Sequence, residues 1–457
     1  MIALRTPVVL ATLCAIGGWA PGPALGQVSD GSEAMPVRQE ISLEQAISQA
    51  LRGNAALGIA ESRSEAAEAG AQVESAALYP SIDLSAGYVR TTDPARVFAI
   101  KLQQGRFTEA DFDVANLNDP DPIGDWKAGA DFSWSVLDPT RWAGSNAAGK
   151  RASAAAWGAR WAREATVFQT KLLYFRAVQA EERLAAERAS KEAARATVER
   201  FTKRLTRGLI TRAELLQAES ELEAALARSI AVEDGRERIV EELAQHLGWD
   251  PGVRPVPTDT LIPPPSPTPG EFNPEERADL RRLEALEQAA GDDVTRATMS
   301  FIPAVDAFAN FSNHAEDVFA SDGTDWTVGF ALRWNLFSGF RRTAARRRAE
   351  LDREARALEY EEALRAARNE AVQARRGVLT AESAWRAMHA ARLAAEEGRD
   401  LMRRRFEEGL ATATDLLQAE ARAAEMRSRA IDALADHHIA IARLEFVESR
   451  YEGEDAR

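Results

Sequence analysis

Two segments of the chain are copies of one another. Arg204–Ser220 reads RLTRGLITRAELLQAES and Arg405–Ala421 reads RFEEGLATATDLLQAEA, with nine of seventeen positions identical at an offset of 201. Upstream, WKAGADFSW (126–134) recurs as WTVGFALRW (326–334) at an offset of 200. Matches in the same order at nearly the same offset indicate that the chain was built by duplicating one unit.

Each copy of the seventeen-residue segment has the chemistry of a tight turn between two helices. A glycine, Gly208 or Gly409, stands where the first helix should end, because glycine adopts the left-handed conformation of a helix C-terminus without strain. A threonine three residues later, Thr211 or Thr412, is a preferred N-terminal cap for the next helix. The segments therefore predict two helical hairpins.

The helices on either side of these turns are predicted to be long. Residues 139–207 and 339–408 contain no proline beyond the first position, and 70 helical residues would extend about 105 Å. Return helices are predicted over 211–247 and 412–450, where apolar residues recur at heptad-like spacing among many alanines. Their opposite faces carry charges of both signs, which favours a solvated surface or a water-filled interior. A composition with 28% charged and 7% aromatic residues is also typical of extended helices.

The repeated tryptophan segments have the period of a β-strand instead. Apolar and polar residues alternate from Trp126 to Val136 and again from Trp326 to Leu336. Partner strands with the same alternation follow Pro80 and Pro303. The predicted strands are therefore 80–90, 126–137, 303–312 and 326–337, one pair in each half.

Two interpretations of these strands are open. They could be hairpins packed on a core by their apolar faces, or they could span a membrane. The tryptophans, Trp126 with Trp134 and Trp326 with Trp334, lie about 26 Å apart along a strand, which matches the two aromatic girdles of a membrane β-barrel. Four strands cannot close a barrel in lipid, so the membrane interpretation requires oligomerisation.

The remaining segments divide the chain. Residues 1–26 have the pattern of a secretory signal peptide, with Arg5, an apolar stretch over 8–16 and small residues before Gln27. The only cysteine, Cys14, lies inside it, so no disulfide or lipid anchor is expected. The first repeat is predicted over 27–248, a Pro-rich linker over 249–274, the second repeat over 275–451 and a short tail over 452–457.

Several classes of function are disfavoured. Without Arg5 the balance is 56 basic against 71 acidic residues, or −15, which disfavours nucleic acid as a partner. No run of 18 apolar residues follows the signal, so no transmembrane helix is expected. No catalytic motif, metal-ligand spacing or phosphate loop is present, so no enzyme activity or cofactor is expected. The adjacent His437 and His438 are interpreted as helix-surface or packing residues, not as a metal site.

The motifs together resemble the TolC-like outer membrane factor family. The resemblance rests on the repeated G-L-x-T-x-x-[DE]-L-L-Q-A-E, the W-x-x-G-x-x-x-x-W strands, F-S-G at 337–339, Leu247 with Gly248, and R-A-D-L at 277–280. It covers the chain from about Ile41 to Tyr451. The combination of order, duplication and spacing is far more specific than any single motif.

The resemblance implies a mostly α-helical protein with a membrane β-barrel portion. The expected assembly is a homotrimer, with a twelve-stranded barrel in the outer-membrane lipid continued by a helical barrel across the periplasm. The expected partners are a periplasmic adaptor and an inner-membrane pump, in a tripartite efflux or type I secretion system that exports substrate passively. The hairpin tips would meet the adaptor; their residues are Gly208, Leu209, Thr211, Gly409, Leu410 and Thr412.

The resemblance also implies a periplasmic gate just past the second tip. Asp415 matches an aspartate that forms a ring across three subunits in the family, whereas Gln418 stands where some members have a second one. From spacing alone, Asp415 is one of 71 acidic residues on a wet helix face. Its carboxylates, if they converged on an axis, would repel one another and have raised pKa values.

Two further alternatives stay open. The long loop over 90–125 is expected on the extracellular side, where it could narrow the outer mouth or be an insertion without a role. The alternative function is an exported coiled-coil scaffold of the periplasm or cell surface.

Overall fold

The computed structural model describes residues 37–265, 272–318, 320 and 322–449. The predicted signal peptide (1–26), the predicted tail (452–457) and residues 266–271 of the predicted linker lie outside the described residues. None of the helices in the described part of the chain carries an apolar stretch of the length needed to span a lipid bilayer.

The described residues are mostly helical with a smaller β portion, which confirms the predicted fold class at that level. The helices are α1 (Leu43–Gly53), α2 (Ala55–Ala76), α3 (Pro94–Gln103), α4 (Val114–Asn118), α5 (Pro139–Leu205), α6 (Arg212–His246), α7 (Ala278–Met299), α8 (Arg341–Glu407) and α9 (Ala413–Val447). The strands are β1 (Val37–Ile41), β2 (Ser81–Thr91), β3 (Ile123–Leu137), β4 (Val253–Pro257), β5 (Ala304–Ala315) and β6 (Gly323–Arg333).

The two long helices have the same length, 67 residues, and each is followed by a return helix of 35 residues. Asp138 begins α5, because its carboxylate accepts from the backbone N–H of Thr140 at 3.0 Å and Pro139 occupies the first helical position. The start of α8 differs. Gly339 and Phe340 are both left-handed, with φ of 61° and 63°, so the helix begins at Arg341 and not at 339.

The helices pack in an unequal way. α5 lies in the middle and packs along α2, α6, α7 and α9, whereas α8 packs mainly along α7 and α9. One apolar cluster joins α1, α5 and α6 around Leu173, Tyr174 and Leu243, and a second joins the two hairpin tips. The long helices are therefore held together at separate clusters along their length.

Four strands form one antiparallel sheet in the order β2-β3-β5-β6. Residues directly opposite one another project on the same side of a sheet. The register places one row of apolar side chains on one face across all four strands. In order from β2 to β6, the row is Leu84, Ala130, Phe311 and Trp326. The other face aligns Asp83, Asp131, Asn310 and Thr327. β2 and β6 form the two open edges.

The tryptophan strand of the second repeat begins and ends earlier than the predicted 326–337. β6 ends at Arg333, opposite Ala304, and Trp334 lies just beyond it. Because Pro303 precedes Ala304 in the partner strand and proline has no N–H, the ladder has no donor there. The Trp334 indole instead donates to the carbonyl of Phe301 at 3.1 Å.

The Pro-rich segment is more than a linker. β4 lies inside it and pairs in parallel with β1, with Pro255 opposite Gln39. Proline is tolerated in this strand because the sheet has only two strands, and the side of β4 away from β1 needs no donor. Tyr174 of α5 anchors this small sheet, because its hydroxyl, a single donor, lies within hydrogen-bond distance of both the Asp259 carboxylate at 2.6 Å and the Ile41 carbonyl at 3.0 Å.

Candidate functional site

The hairpin tips are built from the same backbone geometry in both repeats. Gly208 and Gly409 have φ of +71° and +78°. The next N–H groups bond back across the turn, from Leu209 to the Arg204 carbonyl at 3.0 Å and from Leu410 to the Arg405 carbonyl at 2.7 Å. This is the glycine-dependent way of ending a helix while satisfying its last carbonyls.

Each return helix begins with a reciprocal cap. In α9, the backbone N–H of Thr412 donates to Asp415 Oδ2 at 3.0 Å, the Thr412 hydroxyl donates to the same oxygen at 2.7 Å, and Asp415 N–H donates to the hydroxyl at 3.2 Å. Thr211 and Glu214 make the same cap in α6. The caps fix the direction in which the chain leaves each tip.

The two tips pack against each other. Phe201, Leu215 and Ala218 of the first repeat form one buried cluster with Phe406, Leu416 and Leu417 of the second. The Phe201 and Phe406 rings are 5.2 Å apart between centroids, and the Thr414 hydroxyl donates to Gln217 across the tips at 3.4 Å. The structure therefore brings the predicted tip residues of both repeats to one end of the molecule.

Leucines project from this end into solvent. Leu209 is 63% exposed and Leu410 is 64% exposed, each directly after its glycine. Thr211 and Thr412 are also exposed. The end of the molecule thus presents two apolar side chains of identical type in identical local geometry.

Asp415 lies on the first turn of α9 and Gln418 on the second, and both residues are exposed. Hydrogen bonds from the hydroxyl and the backbone N–H of Thr412 lower the pKa of Asp415 in the single chain. Both bonds go to Oδ2, and Oδ1 accepts no hydrogen bond from any residue that the structure describes. The carboxylate is thus a cap for its own helix with one oxygen available for a further role.

Sequence reasoning missed two charged residues at the tips. Arg204 donates to the carbonyls of Phe406 and Glu407 at 2.9 and 3.0 Å, and its guanidinium lies 4.3 Å from the centre of the Phe406 ring. Glu420 is half-buried between α5 and α9, where it accepts from the Thr197 hydroxyl and faces Arg200 and Arg403. Burial raises the pKa of Glu420. Both residues are among the nine identities of the repeat, which was the signal for them.

The apolar face of the sheet is exposed. Trp326 is 72% exposed, and Val328, Phe330 and Leu332 continue the same exposed face along β6. Trp126 is half-buried against Tyr88, with ring centroids 4.8 Å apart, and the Trp134 indole donates to the Leu78 carbonyl at 3.0 Å. An apolar face without a core to cover it disfavours the interpretation of the strands as globular hairpins.

The long loop between β2 and β3 contains α3, a short 3-10 turn (Glu109–Phe112) and α4. It is held against the neighbouring ends of β3 and β5 by buried polar groups, and its backbone closely approaches the start of β6. Asp125 accepts from the Gln104 amide at 2.9 Å and pairs with His314 at 2.8 Å. Gly323 is required at this contact, because a Cβ there would lie 1.7 Å from the Gln103 carbonyl oxygen.

The two adjacent histidines point into different surroundings. His437 is 1% exposed and lies against Trp385, with burial lowering its pKa, whereas His438 stacks on Phe175 and bonds the Ile262 carbonyl at 2.8 Å. Within the described ranges, no group of three or more His, Cys, Asp or Glu side chains is arranged to hold a metal ion.

Comparison with known proteins identifies relatives over most of the chain. The family model of outer membrane efflux proteins matches residues 46–249 and 274–447. The outer membrane protein TolC of Vibrio cholerae is 22% identical over 400 residues, which are 85% of this chain and 86% of that protein.

Solved structures show the same fold. A membrane protein from Pseudomonas aeruginosa superposes with a TM-score of 0.77 at 21% identity, covering 89% of this chain and 92% of that one. The outer membrane protein VceC of Vibrio cholerae superposes with a TM-score of 0.73 at 20% identity, covering 89% and 95%.

Proposed function

Because the chain belongs to the outer membrane efflux protein family, we propose that it is the outer membrane channel subunit of a tripartite efflux or type I secretion system. The observation that carries this proposal is a four-stranded sheet with an exposed apolar face, joined directly to two 67-residue helices. The sheet would sit in lipid and the helices would extend the conduit. Substrate would pass through without chemistry or energy supplied by this subunit.

The sheet supports a trimer. β2 and β6 each leave one side of the strand without a neighbour in the described chain, and unpaired backbone groups are costly in lipid. Pairing β6 of one copy with β2 of the next satisfies both edges. Three copies of a four-stranded sheet then close a barrel of twelve strands.

The long helices and the return helices also support a trimer, because the equivalent helices of the two repeats can make equivalent contacts. Within one chain α5 of the first repeat packs along α9 of the second. The equivalent pair one step further round a ring is α8 of one copy with α6 of the next. Both helices present exposed apolar residues for this contact: Leu379, Leu393 and Leu401 on α8, and Leu216, Leu226 and Ile230 on α6.

The equivalent 22-residue helices of the two repeats, α2 and α7, also support contact between copies. α2 and α7 have the same length, 22 residues. α7 packs against both α5 and α8, whereas α2 packs against α5 alone among the long helices. α2 therefore has an open side for α8 of a neighbouring copy, where the exposed Ile59 and Val73 support contact.

The tips are proposed to meet the periplasmic adaptor, with the inner-membrane pump beyond it. Leu209 and Leu410 support this role because three copies would present six exposed leucines in equivalent turns. Gly208, Thr211, Gly409 and Thr412 would hold these leucines in position through the turn and cap geometry.

Asp415, with Gln418 one turn later, is proposed to line the periplasmic entrance. The uncommitted Oδ1 supports this, because the cap uses only Oδ2. Mutual repulsion of three such carboxylates would oppose the lowering of the Asp415 pKa that the cap produces. The expected result is a cation-attracting constriction.

Single-channel conductance of the purified protein in planar bilayers tests the proposal. We expect a small, cation-selective conductance that rises in Asp415→Ala and becomes less cation-selective in Asp415→Asn, whose amide oxygen can keep the cap. Glu214→Gln is the matched control at the first tip and should leave selectivity unchanged. Channels unaffected by both Asp415 variants would remove the gate. A protein that needs no detergent and makes no channels would instead favour an exported scaffold.

A further inference from the structure

Arg204 joins the two tips of one chain by a specific contact. Its two terminal nitrogens donate to the last carbonyls of α8, those of Phe406 and Glu407, while the guanidinium lies over the Phe406 ring. A cation at the C-terminus of a helix is stabilised by the helix dipole as well as by the hydrogen bonds. The planar fork of arginine suits two adjacent acceptors, and the point charge of lysine does not.

The second repeat carries the same arginine without the same contact. Arg405 is the copy of Arg204 at the offset of 201 and is one of the nine identities between the tips. It is exposed, and among the described residues its guanidinium makes no hydrogen bond or ion pair, although its charge helps to lower the pKa of Asp415. Local sequence alone does not account for an identical residue with a partner in one repeat and none in the other.

The acceptors that correspond to Phe406 and Glu407 are Leu205 and Thr206, at the end of α5. The Leu205 carbonyl accepts one hydrogen bond, from Gly208 N–H at 2.9 Å, as the Phe406 carbonyl does from Gly409 N–H at 3.1 Å. A carbonyl oxygen has two lone pairs, so each can accept a second donor. For Phe406 that donor is Arg204; for Leu205 the described chain provides none.

We propose that Arg405 is the intersubunit counterpart of Arg204, donating to the Leu205 and Thr206 carbonyls at the end of α5 in the next copy of the chain. The inference rests on the proposed trimer, in which α8 of one copy lies where it can meet the first-repeat hairpin of the next. The hairpin tips of the trimer would then be joined by three Arg204 contacts within chains and three Arg405 contacts between chains.

The Arg204 contact within one chain and the proposed Arg405 contact between chains differ in how they would respond when the periplasmic entrance opens. The in-chain contact is reinforced by the buried cluster around Phe201 and Phe406, which ties both hairpins of one chain together. The position of Phe406 is taken by the smaller Leu205 at the intersubunit joint, so no ring lies under the Arg405 guanidinium there. Dilation of the entrance would therefore occur at the Arg405 joints, with each pair of hairpins moving as a unit.

Cross-linking between residues 405 and 206 tests the geometry. The chain has one cysteine, Cys14, so Arg405→Cys with Thr206→Cys introduces defined thiols for a short bifunctional thiol reagent applied to the detergent-solubilised protein. Covalent dimers and trimers are expected on a denaturing gel. Arg204→Cys with Glu407→Cys should cross-link within one chain and leave the mass of a monomer, and Arg405→Cys alone should give no ladder.

Single-channel conductance tests whether Arg405 helps to keep the periplasmic entrance closed. Arg405→Ala should raise the open fraction about tenfold, the effect of losing a charge-assisted hydrogen bond, and Arg405→Lys should raise it less because one donor still reaches. Arg404→Ala, which removes the same charge from the neighbouring exposed position, should behave as the parent does.

The outcomes separate this inference from the proposed function. Cross-linked trimers together with opening in Arg405→Ala alone support the joint. A parent protein that is trimeric by mass and conducts, but whose 405–206 pair yields only monomers, overturns the Arg405 assignment and leaves the channel. A monomeric parent that makes no channels overturns both.

Discussion

The two long helices, α5 and α8, have the same length and the same C-terminal turn, but they differ greatly in how many of their residues are buried. Both contain 67 residues and both end in the same glycine turn, yet fifteen residues of α5 are buried and only five of α8 are. α5 packs against five helices, which are α1, α2, α6, α7 and α9, whereas α8 packs mainly along α7 and α9. Length and turns follow from local sequence, whereas burial follows from which other helices of the chain pack against each long helix.

The return helices show the difference at a single identical residue. Leu417 of α9 is 7% exposed because it joins the tip cluster, whereas its copy, Leu216 of α6, is 50% exposed. Since both are leucine in the same repeated motif, the exposed one marks a surface that the described chain leaves open. The comparison teaches that identical residues of a duplicated motif acquire different surroundings, because within the described chain only the second-repeat leucine meets a partner surface.

The largest expected effect is at the buried end of α5. Phe201→Ala should lower the free energy of unfolding by about 3–5 kcal/mol, because it removes a fully buried ring from the cluster shared by both tips. Its copy on α8, the half-buried Met402, should cost clearly less when changed to Ala. Denaturant unfolding followed by helical circular dichroism measures both. Equal losses would break the comparison between the helices.

The identical leucines give the sharpest test. Leu417→Ala should cost about 3 kcal/mol of stability in chains dissociated by detergent, whereas Leu216→Ala should change it by less than about 0.5 kcal/mol. In the assembled state Leu216→Ala should shift the protein from trimer to monomer on native gels. A Leu216 variant that keeps the parent's subunit association would show that α6 is not covered by a neighbour.

The tip glycines should respond equally, unlike the leucines. Gly208→Ala and Gly409→Ala each place a side chain at positive φ and should cost about 1 kcal/mol. Apart from the glycine and its two chain neighbours, nothing lies within 4 Å of a Cβ built at either position, so strain and not a clash sets the cost. Thermal unfolding of both variants measures it. A large inequality would mean that the tips are not locally equivalent.

The smallest effect is a pH dependence at Glu420. Burial raises its pKa in the folded chain above the ordinary 4.5, so the folded state favours the protonated form. The stabilisation is fully present below the ordinary pKa and is lost as pH rises through the raised one. Glu420→Gln should therefore flatten the rise in melting temperature on acidification through this range. Its copy, Glu219→Gln, is the control, and an unchanged pH profile in Glu420→Gln would contradict the assignment.

The family and the fold class were predictable from the sequence because several motifs recur in the same order in both halves of the chain. The confirmed mostly helical fold follows from proline-free stretches and alternating strands, and the family follows from the duplicated turn. The early end of β6 and the pairing of β4 were not predicted. Each depends on the backbone of a partner strand, Pro303 before β5 in one case and Gln39 of β1 in the other.

The candidate site was predicted only in part. Gly208, Leu209 and Thr211, with their copies in the second repeat, lie together at one end of the molecule, and the roles assigned to them stay predictions. The Asp415 gate also stays a prediction, and the structure gives that carboxylate a further use as the cap partner of Thr412. Arg204 and Glu420 were missed because their partners are 202 and 223 residues away.

The sequence by itself determined the features that depend on neighbours along the chain. Helix hydrogen bonds join residues four apart, a glycine permits a left-handed turn at one position, and a threonine caps the N–H three residues on. The tertiary structure alone decided that Leu417 is buried and Leu216 exposed, and that among the described residues the Arg204 side chain has hydrogen-bond partners whereas that of Arg405 has none. These outcomes depend on which distant surface reaches a residue, and identical local sequences carry no information about that.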